Sequence, residues 1–332
     1  YKAFSDAGAE IVNIGRPLDV GKKKARFFRS FSLARMVKKA GCNVLLSRAG
    51  MTNRLTGYAG MLNLVPTVAV LSGRVGKHVL RLNFFKQFAG SIGIAFRLGF
   101  PTRIVAVSLE AANNFSCRYP LFSKYTVAIQ NGIDMPKSKS DYQPPNCSAD
   151  DSFTICYAGS LEIDRKGLDI LIDAMKKIIF EYRREKLLLI LIGAGEDEQS
   201  LKDMIRVTNL NKYVTFAGEM DDPLPKIRTC DAFVLPSRRE GFPNALLEAM
   251  SVGVCCIASD CDTGPREIIT NGVDGLLVPV NDSAKLAETI DRVIRDSDLR
   301  ERLGRGGMKT VYNNFSLSKM ADSYFELLVS LI

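Results

Sequence analysis

The sequence predicts an α/β protein of two doubly wound domains, each built on a largely parallel sheet. Three observations carry this expectation. Short apolar runs alternate with amphipathic stretches through the first half. A polar stretch over residues 136–152, with Pro144-Pro145 at its centre, breaks the alternation and reads as a linker. The same alternation then restarts, with glycines at the C-terminal ends of its strands, the edge where such sheets bind ligands.

In the first half, residues 9–14, 44–46, 67–71, 104–107 and 126–129 have the short, β-branched character of buried strands. Residues 28–39, 53–62, 80–96 and the stretch after Ser108 carry helical periodicity. In the second half the strands fall at 153–157, 187–192, 214–217, 232–235 and 254–258. Helices are expected at 167–184, 196–207, 224–229 and 244–251. The domains are therefore placed at 1–135 and 153–315, with 136–152 between them and a last helix, 316–332, returning towards the first domain. Two such domains leave a cleft between them, a usual place for a small-molecule site. The chain opens on Tyr1 rather than Met, with no charged-then-apolar leader ahead of it, so it is expected to be a fragment whose first domain is incomplete.

Composition removes several classes. The 332 residues are 46% apolar and 24% charged, ordinary globular values. The longest unbroken apolar run, residues 187–192, is far too short to span a bilayer. The eight cysteines, Cys42, Cys117, Cys147, Cys156, Cys230, Cys255, Cys256 and Cys261, form no CxxC pair, and His78 is the only histidine. A structural zinc site needs closer spacing, so these read as free, mostly buried thiols in a reducing cytoplasm. Charge is uneven: residues 1–136 hold 20 Lys and Arg against 5 acids, the remainder 25 against 31. A half so basic seeks an anionic partner. The segment Gly21-Lys22-Lys23-Lys24-Ala25-Arg26-Phe27-Phe28-Arg29 mixes cations with paired phenylalanines, which suits an anionic membrane surface better than nucleic acid.

The chemistry concentrates in Leu235-Pro236-Ser237-Arg238-Arg239-Glu240-Gly241-Phe242-Pro243-Asn244 and the helix behind it. A strand ends at Leu235, a loop carries Glu240 and Gly241, and a helix starts near Asn244. Its first N–H groups have no helical partner and offer a site to an anion, a diphosphate above all. Gly241 allows close backbone approach. Glu248, further along that helix, is a carboxylate suited to accepting two hydroxyl hydrogens from a ribose.

With Pro236-Ser237 before it and Glu248-Ala249-Met250 behind, this stretch resembles the E-x7-E signature of glycosyltransferase family 4, a retaining family of GT-B fold. Other segments resemble the family in its order. Tyr157-Ala158-Gly159-Ser160, then Arg165-Lys166-Gly167-Leu168, is similar to the strand, glycine turn and Lys-Gly pair whose lysine and arginine bind the donor diphosphate. Lys166 matches the lysine; Ser160 stands where the arginine would be, and Arg165 is placed to supply its charge. The segments around Gly193 and around Phe216 and Gly218 match loops that frame the nucleotide base. Gly264-Pro265-Arg266-Glu267 and Gly275-Leu276-Leu277-Val278-Pro279 resemble the closing strand region, and Asn131-Gly132-Ile133-Asp134 the crossover between domains.

The resemblance thus implies a GT-B enzyme with Glu240 catalytic. It implies donor binding by Gly159, Ser160, Arg165, Lys166, Gly193, Phe216, Gly218, Ser237, Gly241, Phe242, Pro243, Asn244 and Glu248. Arg48, Asn53, Ser72 and Gly73 are expected on the acceptor side. The donor is expected to be a nucleotide sugar, UDP-linked, carrying a hexose or N-acetylhexosamine. The acceptor is expected to be a saccharide or lipid-linked saccharide of envelope polysaccharide synthesis at the inner face of the cytoplasmic membrane. No metal or other cofactor is expected. A retaining glycosidase pair is excluded, because two glutamates eight apart at one helix start cannot flank a glycosidic bond. A nucleotide-sugar epimerase on the same fold and a non-catalytic nucleotide-sugar-binding module remain as rivals.

Overall fold

A computed structural model of the chain describes residues 22–48, 50–71, 84–135 and 152–332. Contacts divide it into two units. The first holds the described residues up to 106, with 112–128 and 325–332; the second holds 107–111 and 129–324. The expected strand at 9–14, the expected linker from 136 to 151, His78, Ser72 and Gly73 lie outside the described residues.

The first unit is built from α1 (Lys22–Ala40), β1 (Leu45–Arg48), α2 (Gly50–Asn63), β2 (Thr67–Leu71), α3 (Phe84–Leu98), β3 (Arg103–Ala106), α4 (Leu109–Arg118, grouped here from Ala112 on) and β4 (Thr126–Ala128). Its four strands run parallel in the order β1-β2-β3-β4. β2 and β3 consist largely of Val, Ile and Ala and are buried almost throughout, as strands covered on both faces are. Asn53, only 1% exposed, ties β1 to β2. It accepts from Ser47 Oγ at 3.0 Å and donates to the Val70 carbonyl at 3.0 Å. Its amide is already used between two strands, so it holds the fold rather than standing open to an acceptor.

The second unit contains β5 (Phe153–Ala158), α5 (Ile163–Lys166), α6 (Leu168–Lys176), β6 (Leu187–Ile192), α7 (Glu198–Val207), β7 (Val214–Gly218), α8 (Leu224–Ile227) and β8 (Ala232–Leu235). There follow α9 (Asn244–Ser251), β9 (Cys255–Ser259), α10 (Pro265–Ile268), β10 (Leu276–Val278), α11 (Ser283–Arg295), α12 (Ser297–Asn314) and α13 (Leu317–Val329), of which the residues from Phe325 on are grouped with the first unit. All six strands are parallel, in the order β10-β9-β8-β5-β6-β7. The chain builds outward from β5 through β6 to β7, then returns to place β8 on the other side of β5. The order therefore reverses between β5 and β8, and loops leaving their C-terminal ends diverge around a crevice.

Two sequence expectations change. The helix expected over 167–184 is instead α6 (Leu168–Lys176) followed by a π turn at Lys177–Glu181, and a separate short helix, α5, precedes Gly167. Gly167 has φ +64°, a left-handed conformation that ends one helix and starts the next. The sheet also gains a sixth strand, β10, whose three residues are too few to show a period. Cys156, Cys230, Cys255, Cys256 and Cys261 are buried free thiols, as composition suggested, while Cys117 is exposed.

Candidate functional site

The reversal point of the second sheet is where the sequence-selected residues meet. The turn after β5 carries Gly159 and Ser160, α5 carries Arg165 and Lys166, and the loop after β8 carries Ser237 to Pro243. Gly167 shows how closely these segments approach: a Cβ there would lie 2.2 Å from the Pro236 carbonyl oxygen, so only glycine fits. The N–H groups of Arg238 and Arg239 both donate to the Arg165 carbonyl, at 3.0 and 3.3 Å. Arg238 adds a two-pronged ion pair with Asp169, at 2.8 and 2.6 Å, and donates to the Ile163 carbonyl at 2.9 Å. Arg239 pairs with Asp164. Backbone and side chains thus stitch two loops together that are about 70 residues apart in sequence.

Glu240 sits at the centre of this stitching. Its carboxylate is enclosed, and its Oε1 accepts from Lys166 Nζ at 2.7 Å and from Ser237 Oγ at 2.7 Å. The Lys166 side chain is 12% exposed and that of Glu240 only 6%, so the pair is screened little by solvent. The Glu240 carbonyl accepts from the Thr263 hydroxyl, which fixes the loop from its other side. Tyr157, buried beneath, donates its hydroxyl to the Ser160 carbonyl at 2.8 Å. Burial, and next the charge of Glu240, push its phenol far above the ordinary value.

Arg165 lies where the sequence left a question. Its Nη2 is 2.8 Å from Ser160 Oγ, so the guanidinium reaches the position after the glycine turn from the next helix. Glu162 holds it with a forked pair at 2.8 and 2.7 Å. Those bonds to Arg165, followed by the Ser160 hydroxyl, bring the Glu162 carboxyl down to about 2. Beside this group lies an open depression of about 490 Å³, lined by Glu162, Asp164, Arg165, Gly195, Glu196, Asp197 and Arg239. Its floor passes the turn after β6, where Gly193 takes φ +131° and comes so close to Gly159 that a Cβ would meet its carbonyl oxygen at 2.0 Å.

α9 begins at Asn244 after Pro243, with no side chain capping it, so its first N–H groups are left for another acceptor. Asn244 is exposed, and its Oδ1 accepts from Asn131 Nδ2 at 2.9 Å. Phe242 is buried against Phe315, ring centroids 5.7 Å apart. Glu248, in the second turn of α9, is half-buried; burial first, then Asp222, raise its carboxyl above the usual range. Phe216 and Gly218 end β7, the outermost strand on that side, and Lys202 Nζ lies 5.2 Å from the Phe216 ring centroid.

Side-chain bonds thus join Lys166, Ser237 and Glu240, and separately Ser160 and Arg165, while the Gly218 carbonyl accepts from Gly193 N–H at 2.7 Å. Arg48 is exposed at the end of β1 in the first unit. Sequence reading passed over Glu162, Asp169 and Thr263. Only Glu162 carries a local signal, standing three residues before Arg165 on one helical turn.

A switch-point group of this kind, with cations, a buried carboxylate and an open helix start, lies at the edge where doubly wound domains bind their ligands. Residues 138–310 match the family model described as glycosyl transferases group 1, and the chain belongs to that family. It is 31% identical to the lipopolysaccharide core biosynthesis glycosyltransferase LpsE of Rhizobium meliloti, over 51% of this chain and 47% of that protein. It is 36% identical to the capsular polysaccharide biosynthesis glycosyltransferase CapM of Staphylococcus aureus, over 50% of this chain and 43% of that one. The matches therefore span about half the length of these curated relatives. Among solved structures, a glycosyltransferase from Rickettsia africae superposes with TM-score 0.78 at 18% identity, covering 99% of this chain and 87% of its own. Anabaena HepE in complex with UDP gives 0.74 at 22%, covering 90% and 82%. These likenesses establish the GT-B fold with its two Rossmann-like domains.

Proposed function

We propose that this chain is a retaining, metal-independent glycosyltransferase of family 4 that moves a hexose or N-acetylhexosamine from a UDP-sugar to a saccharide or lipid-linked saccharide of an envelope polysaccharide. The carrying observation is the Lys166–Glu240–Ser237 cluster beside the open start of α9, at the reversal point of the sheet. The relatives' work in lipopolysaccharide core and capsule synthesis supports the acceptor class, and the HepE complexes with UDP and UDP-glucose support the donor.

In this reading the bond between the anomeric carbon and the β-phosphate oxygen breaks with its electron pair going to phosphate. Lys166, Arg165 and the first N–H groups of α9 stabilise the charge that grows there. Arg165 replaces the arginine that Ser160 displaces, since its guanidinium already lies against the Ser160 hydroxyl. Glu240 accepts from donor-sugar hydroxyls and stabilises the positive character of the ring. Glu248 accepts from the ribose hydroxyls. The acceptor hydroxyl is held near the anomeric carbon, and its proton passes to the departing β-phosphate oxygen as the new bond forms.

Release of UDP from UDP-glucose, UDP-galactose and UDP-N-acetylglucosamine, alone and with saccharide acceptors, tests the activity; nucleotide binding without turnover would leave a binding module. Glu248→Gln should weaken UDP binding by about 1.5–3 kcal/mol, the contribution of hydrogen bonds to a charged acceptor. Because burial raises the Glu248 carboxyl, wild-type affinity should fall as pH drops through that raised value, and the Gln variant should be flat there. Calorimetry across pH reads both effects. Equal affinities at pH 7 would remove Glu248 from the ribose site.

A further inference from the structure

Two donors converge on one oxygen of Glu240, and the other oxygen is left over. Ser237 is fully buried, and its hydroxyl has Glu240 Oε1 as acceptor at 2.7 Å; Lys166 Nζ reaches the same oxygen at 2.7 Å. Among the described residues no donor reaches Oε2. Nor is Oε2 sealed in: the only enclosed side-chain polar atom without a partner among the described residues is Nδ2 of Asn114. Oε2 is therefore an unpartnered carboxylate oxygen that is not fully enclosed, on a side chain only 6% exposed.

We infer that Ser237 and Lys166 clamp Oε1 so that Oε2 is the oxygen presented to the donor sugar, which makes Ser237 a positioning residue acting through Glu240. The inference rests on the donor-site reading above. A carboxylate held by one donor can still rotate about its last bond; a second donor at the same oxygen, from a different direction, fixes the plane of the group. Lys166 alone cannot do this, because its ammonium sits on a flexible stem, although its three N–H donors let it meet a phosphate while one stays on Oε1. The Ser237 hydroxyl, anchored in the backbone immediately after β8 and enclosed on all sides, does not move with the ligand. With Lys166 it holds Oε1 from two directions.

The test separates nucleotide from sugar. Affinities for a nucleoside diphosphate and for its sugar conjugate are measured by calorimetry in the wild type, Ser237→Ala, Ser237→Cys, Ser237→Thr and Glu240→Gln. The probes are UDP with UDP-glucose, or GDP with GDP-mannose where that pair raises the unfolding midpoint more. Ser237→Ala and Ser237→Cys should leave nucleotide affinity within about twofold and weaken the sugar conjugate about tenfold, approaching Glu240→Gln, as loss of one hydrogen bond to a charged group implies. Ser237→Thr, which keeps the hydroxyl, should restore the sugar conjugate to within about threefold of wild type. Cysteine fills the serine volume with a weak donor, so it keeps the comparison valid should threonine's methyl prevent folding. Equal losses for both ligands, or none for either, would overturn the positioning role while leaving the donor site standing. A wild type that binds neither pair would bring down the donor-site reading, and this inference with it.

Discussion

Arg165 and Glu162 form a pair whose ionisation reads directly on the proposed diphosphate site. Glu162 is brought from 4.5 to about 2 by its bonds to Arg165 first and Ser160 second. A carboxyl lowered on folding adds stability above its unfolded value and loses it as pH falls through the folded one, so this contribution belongs above pH 4.5 and fades towards about 2. Both side chains are close to 40% exposed, so its size is small and the titration itself is the better measurement. Carbon-13 titration of the Glu162 carboxyl should give a midpoint near 2, and Arg165→Met should return it towards 4.5. An unchanged midpoint in the variant would deny the pair. Residue identities at this site were legible through resemblance: Lys166, Glu240 and Glu248 stand in motifs similar to those of a known family, whereas two glutamates eight apart mean little alone. Their partners were not. That Glu240 bonds Lys166, 74 positions away, depends on which strands lie side by side, and no local pattern encodes that.

At the level of elements, the sheet reversal brings the site together and Arg238 holds it closed. The guanidinium spans α5, α6 and the loop after β8 through Ile163 and Asp169. Side-chain exposures of 21% and 28% place the Arg238–Asp169 pair between surface and interior, where a forked pair contributes more than a free surface bridge. Arg238→Met should lower stability by about 1–2 kcal/mol and Asp169→Asn somewhat less, with a double mutant short of the sum. Denaturant unfolding of the four proteins measures the coupling; strict additivity would show that the pair carries none. The elements themselves were readable wherever apolar residues were numerous enough to set a period. β6, β8 and α9 fall on the expected residues because six, four and eight positions fix each one. β10 showed only through its resemblance to a closing strand region, since three residues set no period, and the helix over 167–184 was drawn too long at its far end, where α6 gives way after Lys176 to a π turn. α11 and α12 were not drawn at all, although Asp282 and Asp296 each cap the next helix by accepting a backbone N–H at its start.

For the molecule as a whole, the charge division is the feature that the donor site does not explain. The first 136 residues hold 20 Lys and Arg against 5 acids, whereas the remainder is slightly acidic. Among the described residues no helix is long and apolar enough to cross a membrane. We propose that the basic half docks on an anionic membrane face, where a lipid-linked acceptor would be found. Lys22, Lys23, Lys24 and Arg26 fall in the first turns of α1, ahead of Phe31, which is exposed further along the same helix. Attraction of this kind is screened within about 10 Å at 0.1 M salt, so vesicle binding should fall steeply as salt rises. Neutralising the four cations together should weaken binding by about 1 kcal/mol for each charge near the surface. Phe27 and Phe28 would add an apolar part that salt leaves in place. Flotation with phosphatidylserine-containing vesicles at low and high salt, wild type beside the quadruple variant, measures both parts. Phosphatidylcholine vesicles give the uncharged reference. A wild type that stays out of the anionic vesicle fraction at low salt would overturn membrane docking and turn the basic half towards a soluble, phosphorylated acceptor.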